Sequence, residues 1–490
     1  MMIVRRANML RIGILLFASC SVIILFFSAT ATMGHAGFPL DDAWIHQVYA
    51  RNLAVRGEWA FNPGEPSGGS TSPLWSLLLS GAYIFSIQPV VWVALIGSLT
   101  LFGIGMLAED LLRIWNSGYT VKFPWIGLFF ILEWHLIWAA LSGMETALFC
   151  GLILGVFRVL QGDYRRYWVA GLLIGLSTWI RPDGITLLGP AVFLVLFQKN
   201  EKKQKLRELT TLLGTFLLVF APYLFFNLKF AGDIWPSTFL AKQAEYQAAV
   251  SLPIGERIGS LLLPFLAGGG VILIPGVLAA FWLAIKRWKM DILAMLLWMA
   301  GFVLLYAIRL PVSYQHGRYM IPAMVCFFLA GIWGMLELIA LWQENRLTWI
   351  IKRFWIASLA VITIAFLGLG LMAYQTDVAI IQTEMVKTAV WIKQNAPATS
   401  RIAAHDIGAL GYFSDRKVID LAGLVNPEVI PIIRNETALS KYLDLSRVDF
   451  LVTFPGWYPE LIQGKRKFFS TNGLFSPPQG GENMAVYAWH

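Results

Sequence analysis

The sequence predicts a polytopic α-helical membrane protein ending in a small extracytoplasmic α/β domain, and three observations lead there. Of 490 residues, 57% are hydrophobic and only 14% charged, with a mean hydropathy of +0.64; soluble domains carry about a quarter charged residues. The apolar residues come in long runs, such as 12–27, 211–226 and 356–373, close to the ~17–25 residues a helix needs to cross a hydrocarbon core. Lys and Arg fall mainly in short loops between such runs, the pattern that marks cytoplasmic loops.

Taken in order, Arg5, Arg6 and Arg11 precede an apolar run that ends near Ala29-Thr30-Ala31. Cleavable signal peptides share that pattern, but this run is long for one and further crossings follow. The reading is therefore an uncleaved anchor with its N-terminus in the cytoplasm. Basic loops at 158–166, 199–207, 286–289 and 346–353 are placed on the same side. Segments 168–181 and 184–198 form a hairpin whose turn, Arg181-Pro182-Asp183-Gly184, faces outside. Spans near 208–229, 259–285, 291–309, 319–342 and 351–373 then alternate, which leaves Tyr374 onward outside. Between Ser72 (outside) and Arg158 (inside) the number of crossings must be odd. Four apolar segments lie there, at 74–87, 89–112, 123–140 and 144–158, so one should fail to cross. The total is about eleven crossings, or thirteen if one segment is split.

The predicted domains are a transmembrane region, 1–374, with its first outer loop at 31–72, and a soluble domain, 375–490. In the latter, short β-rich runs at 401–405, 417–421, 449–454 and 484–489 and a helical stretch at 378–395 are separated by Gly, Pro and Asn turns. The net charge of +9 sits in the loops and does not suggest nucleic acid. Cys20, Cys150 and Cys326 lie inside apolar segments, where no disulfide or metal cluster is expected.

The first outer loop carries the most chemistry. Asp41 and Asp42 follow a membrane span directly, at the Pro39 boundary of a helix. One reading has Asp41 capping that helix and Asp42 favouring its dipole; the other makes them catalytic carboxylates. His46 lies four residues after Asp42 on the same helical face, as a binding group or as a solvated loop histidine. The stretch Phe61-Asn62-Pro63-Gly64-Glu65 leads through a polar hinge to Thr71-Ser72-Pro73-Leu74-Trp75, with Pro73 suited to a first helical turn. Glu145 begins an apolar segment. His405-Asp406 occupies a strand-to-helix turn, where a structural role competes with recognition of acceptor or sugar.

Asp-Asp-Ala-Trp-Ile (41–45), Tyr-Ala-Arg-Asn-Leu (49–53), Phe-Asn-Pro-Gly-Glu (61–65) and Thr-Ser-Pro-Leu-Trp (71–75) together resemble the first periplasmic loop of bacterial GT-C glycosyltransferases. Within that superfamily the chain is most similar to the group around the terminal arabinofuranosyltransferases. Ser142–Phe149, Gly317-Arg318-Tyr319-Met320-Ile321-Pro322, Asp406–Phe413 and 418–424 extend the likeness over most of the chain. The resemblance implies a sugar donor on polyprenyl phosphate, a cell-envelope glycan or lipid acceptor, inverting transfer at the outer face of the bacterial plasma membrane, and a carboxylate base in the first loop. Carried over, Asp41 is the base, and Asp42 orients the acceptor or holds a divalent cation; no organic cofactor is expected. Departing phosphate calls for positive charge: Arg181, Arg309, His316 and Arg318 are the candidates at the outer surface. His316 and Arg318 stand in the matching Gly-Arg-Tyr stretch, whereas Arg309 also reads as a snorkelling helix end. Glu145 is a candidate for a sugar hydroxyl. A transporter or flippase is the alternative from another class; such proteins typically show repeated helix sets, and the sequence contains none.

Overall fold

Inside a bilayer the backbone must satisfy its own hydrogen bonds, so long uncharged runs fold as helices. In the computed structural model the chain is predominantly helical. The structure describes residues 2–32, 34–116, 122–161, 165–342 and 345–490, with side chains from residue 8 onward. Arg5, Arg6 and residues 162–164 of the basic loop 158–166 therefore lie outside the described side chains.

Among the described residues, six helices are long and apolar enough to cross a membrane: Asn8–Thr32, Pro89–Trp115, Lys202–Phe230, Met290–Arg309, Ile321–Ala340 and the 50-residue Arg346–Asn395. Two further pairs are bent, Trp134–Leu141 with Thr146–Val159 by 120° and Ile254–Leu266 with Gly270–Lys286 by 113°, and would raise the count to eight. Pro73–Ile84, Tyr167–Ile180 and Pro182–Phe197 are apolar but shorter. The expected eleven full-length crossings are thus not matched helix for helix. The segment expected as one span over 259–285 breaks where Pro264 and Gly268-Gly269-Gly270 interrupt it. The stretch expected over 123–140 breaks at Glu133, whose extended backbone and carboxylate cap the following helix at Leu136 N.

The expected domain boundary at 374/375 falls inside a helix. Arg346–Ile381 continues through a π turn, Gln382–Val386, into Lys387–Asn395, carrying the soluble domain on an unbroken rod. That domain holds a five-stranded sheet, β1 (Arg401–Ala404), β2 (Lys417–Asp420), β3 (Phe450–Thr453), β4 (Lys467–Ser470) and β5 (Ala485–Ala488), in the order β2-β1-β3-β5-β4. β1 pairs in parallel with β2 and β3, while β5 runs antiparallel to β3 and β4. β1 and β3 are buried over three of four residues, as expected of inner strands covered on both faces. β4, absent from the sequence reading, is the exposed edge strand.

Candidate functional site

The first loop folds onto the soluble domain. Asp42–Arg56 forms a helix that packs on the short domain helix Gly408–Phe413, and Trp44 packs tilted against Tyr412 and edge-on against Phe413. Arg51 donates to the carbonyls of Tyr412 (2.8 Å) and Gly411 (3.2 Å). Asn62 mimics a strand partner, donating to Val418 O (2.9 Å) and accepting from Val418 N (3.1 Å).

Asp41 belongs to this seam. It occupies the cap position of Asp42–Arg56, but its side chain makes no hydrogen bond to that helix. Instead Oδ2 accepts from Gly408 N (2.6 Å) and Oδ1 from Ala409 N (2.8 Å). It therefore caps the domain helix, which corrects the local capping expectation: the side chain turns away from its own helix. Gly408 must be glycine here, because a Cβ would stand 2.0 Å from Asp41 O. Burial and the facing Asp406 outweigh these two amides and push the Asp41 carboxyl up to about 8.

Asp42 points the other way. Its Oδ2 accepts from Arg318 Nη2 (2.7 Å) and pairs with Lys242 Nζ (3.4 Å). Burial would raise this carboxyl, but Lys242 and Arg318 hold it well below the usual carboxylate range. Tyr319 OH bridges the two cations, 2.9 Å from Lys242 Nζ and 3.0 Å from Arg318 Nη2. Against the effect of burial, Arg318 and Lys242 draw the phenol down to about 8.

These cations line a cavity of about 510 Å³ between the loop helix Ser237–Glu245, the C-terminal end of Met290–Arg309 and the turn at 318–319. Met144, Ile185, Phe239, Leu240, Leu305 and Leu310 make its wall mostly apolar, while Arg181, Lys242, Arg309 and Arg318 supply four positive charges. Arg181 is taken up by Asp183 (2.9 Å) and Tyr306 OH (2.7 Å), with Glu145 Oε1 at 3.5 Å. Arg309 is exposed. Arg318 is only 4% exposed, and its Nε and Nη1 have no hydrogen-bond partner.

Glu145 lines the cavity and its Oε2 is likewise without a hydrogen bond. His46 stands 3.9 Å from that oxygen, with Nδ1 at 3.2 Å from Ser70 Oγ and 3.0 Å from Ser76 Oγ. Burial lowers its pKa against the pull of Glu145 and Asp42; it is a buried network residue, not a solvated loop histidine.

The structure does not bring His316 to the cavity. Its Nε2 lies 2.8 Å from Asp377 Oδ2, with the ring edge-on to Trp134 and Trp138. His405 bonds Tyr458 OH (2.8 Å) and faces Glu245 Oε1 at 3.4 Å; burial works against its charged form, but Glu245 raises its pKa. Asp406 is pushed up to about 6 by burial and by Asp42 and Glu245, against His405, so the soluble domain presents it toward the first-loop carboxylates. Among the described residues no group of three or more His, Cys, Asp or Glu could hold a metal, and Asp42 is paired with Arg318 and Lys242.

Lys242 and Tyr319 escaped the sequence reading. A lysine in a loop that the charge alternation assigns to the outside runs against the basic-loop pattern, and that was the available signal for Lys242. Tyr319 stands in the Gly-Arg-Tyr stretch beside Arg318 without having been assigned a role.

A family model described as a domain of unknown function (DUF8728) matches residues 372–487. No curated protein matches the chain. Among solved structures, ArnT from Cupriavidus metallidurans bound to undecaprenyl phosphate is 14% identical with a TM-score of 0.59, covering 98% of each chain. An oligosaccharyltransferase from Archaeoglobus fulgidus is 11% identical at a TM-score of 0.58, over 91% of this chain and 69% of its own. The mycobacterial arabinofuranosyltransferase AftD is 14% identical at 0.53, over 97% of this chain and 41% of its own. The chain thus shares the fold of GT-C membrane glycosyltransferases.

Proposed function

We propose that this chain, with its GT-C fold, transfers a sugar from a polyprenyl-phosphate donor to a cell-envelope glycan or lipid at the outer face of the bacterial plasma membrane. In this reading the N-terminus is cytoplasmic and the soluble domain extracytoplasmic. One observation carries it: Arg318, on the wall of an apolar cavity beside Lys242, keeps two buried nitrogens without hydrogen-bond partners. Asp42 pairs the charge, but buried donors left without an acceptor are costly, and a lipid-borne phosphate supplies both the missing acceptor and the apolar tail. The ArnT structure with bound undecaprenyl phosphate supports the same ligand class.

In the reaction, the acceptor oxygen bonds the anomeric carbon from the face opposite the phosphate, the carbon–phosphate-oxygen bond breaks, and the configuration inverts. The leaving polyprenyl phosphate gains negative charge, which Arg318 and Lys242 stabilise. The acceptor proton goes to a first-loop carboxylate. Asp41 was the expected base, but both its oxygens are occupied by backbone amides; Asp42, about 30% exposed and ionised, takes the role in this proposal. Its low basicity in the free protein comes from Lys242 and Arg318. Donor phosphate on those cations offsets their field, so the base strengthens when the donor is in place.

Arabinofuranose is the first donor sugar to test, given the likeness to arabinofuranosyltransferases. Purified protein in vesicles with polyprenyl-phosphoryl arabinofuranose and envelope glycan should release polyprenyl phosphate and extend the glycan. Asp42→Asn should fold, bind donor and lose about 10²–10⁴-fold in turnover. Full turnover in that variant would sink the assignment of the base.

A further inference from the structure

Between the helices Met290–Arg309 and Ile321–Ala340 the chain makes a sharp turn, and that turn delivers Arg318. Gln315, His316 and Gly317 all hold positive φ, at +53°, +58° and +67°. Glycine adopts this region freely, whereas residues with a Cβ seldom do, and two in succession must be held there by their surroundings.

The surroundings are specific. His316 Nε2 meets Asp377 Oδ2 at 2.8 Å, and the same oxygen accepts from Trp138 Nε1 at 2.9 Å. Trp134 and Trp138 pack edge-on against the imidazole, with ring centroids 5.2 and 5.3 Å away. On the other side Gly317 is pressed onto Pro264, where a Cβ would stand 2.5 Å from Cγ. The next residue is Arg318, one arm on Asp42 and two nitrogens unpartnered.

We propose that His316 and Asp377 are positioning residues: their bond pins the left-handed turn and thereby aims the Arg318 guanidinium at the lipid phosphate. Neither touches the cavity. Asp377 lies on Arg346–Ile381, the helix that continues into the soluble domain, so the tether also fixes the phosphate-binding arginine relative to that domain. This rests on the cavity being a lipid-phosphate site.

The test uses the full chain in detergent micelles with two probes that differ only in the phosphate, undecaprenyl phosphate and undecaprenol. His316→Ala should lower the preference for the phosphorylated lipid about tenfold, roughly what one charge-assisted hydrogen bond contributes. Undecaprenol binding should stay unchanged. His316→Gln, which can still donate to Asp377, should recover most of the preference. Should the Ala variant fail to fold, Asp377→Asn keeps the side-chain size while weakening the His316 bond, and should shift the preference in the same direction. Equal weakening for both lipids, or no change, overturns the positioning role. If Arg318→Ala leaves the preference untouched, the cavity is not the phosphate site and the inference falls with that reading. A normal loss there, with intact His316 and Asp377 variants, rejects the tether alone.

Discussion

Asp41 and Asp42 are neighbours in sequence, yet they serve two regions built on opposite principles. On the seam between first loop and soluble domain, Asp41, Arg51 and Asn62 spend their polar atoms on backbone groups of the partner domain. On the cavity wall, Arg318 and Glu145 bury polar atoms that have no hydrogen-bond partner. A made hydrogen bond contributes about 1 kcal/mol, while a buried group left without one costs about 1–3 kcal/mol, more if charged. These three seam residues are therefore satisfied in the free protein. The cavity residues are not: the Arg318 nitrogens lack an acceptor and the Glu145 oxygen lacks a donor.

The largest effect that sharpens this contrast is expected at Arg318. Arg318→Ala removes the two buried donors that lack acceptors and should lower turnover by about 10²–10³-fold with little loss of folding stability, measured by polyprenyl phosphate release and thermal unfolding on the same sample. A variant that instead unfolds while keeping its turnover would move Arg318 to the structural side.

Asp41→Asn should do the reverse. The Asn amide group would turn an N–H toward a backbone N–H, costing about 1–3 kcal/mol of stability, with turnover per folded molecule preserved. The pH dependence follows from the raised carboxyl. Its ordinary value is 3.8 and its folded value about 8, so its stabilisation is full below 3.8 and fades as pH rises through 8. Thermal unfolding across pH 4–8 should show that decline in the native chain and a flatter profile in the Asn variant. Loss of about 10² or more in turnover by well-folded Asp41→Asn would return the base to Asp41.

Arg309→Ala marks the small end. An exposed charge at a helix end should change turnover by less than about fivefold; a larger effect would mean that the open side of the cavity also holds phosphate.

Much of this was readable from the residues. Apolar runs and turn signals located the helical region and four of the five strands, and the Gly-Arg-Tyr stretch pointed to Arg318. Asp41 was singled out for the wrong partner. The amides it caps lie 367 and 368 residues further along the chain, and no local rule reports such a distance. His316 lies away from the cavity for a related reason. Its proximity in sequence to Arg318 suggested a shared ligand, but positive φ at Gln315, His316 and Gly317 sends neighbouring side chains to different places. β4 was missed because Lys467–Ser470 is an exposed edge strand, without the run of three buried residues that each of the others carries.

The rod Arg346–Asn395 couples membrane and domain by angle as well as by height. Fifty helical residues reach about 75 Å at 1.5 Å each, far beyond a hydrocarbon core of about 30 Å. Each residue inserted into or removed from a helix rotates the remainder of that helix by about 100°. A single-residue change ahead of the soluble domain would swing Gly408 and Ala409 away from Asp41; made before Asp377, it would also swing that carboxylate away from His316. Changes in whole turns keep the facing but shift the domain along the axis by about 5.4 Å per turn. The register of this helix is therefore fixed in phase and in length together, like a threaded shaft that meets its seat at one setting.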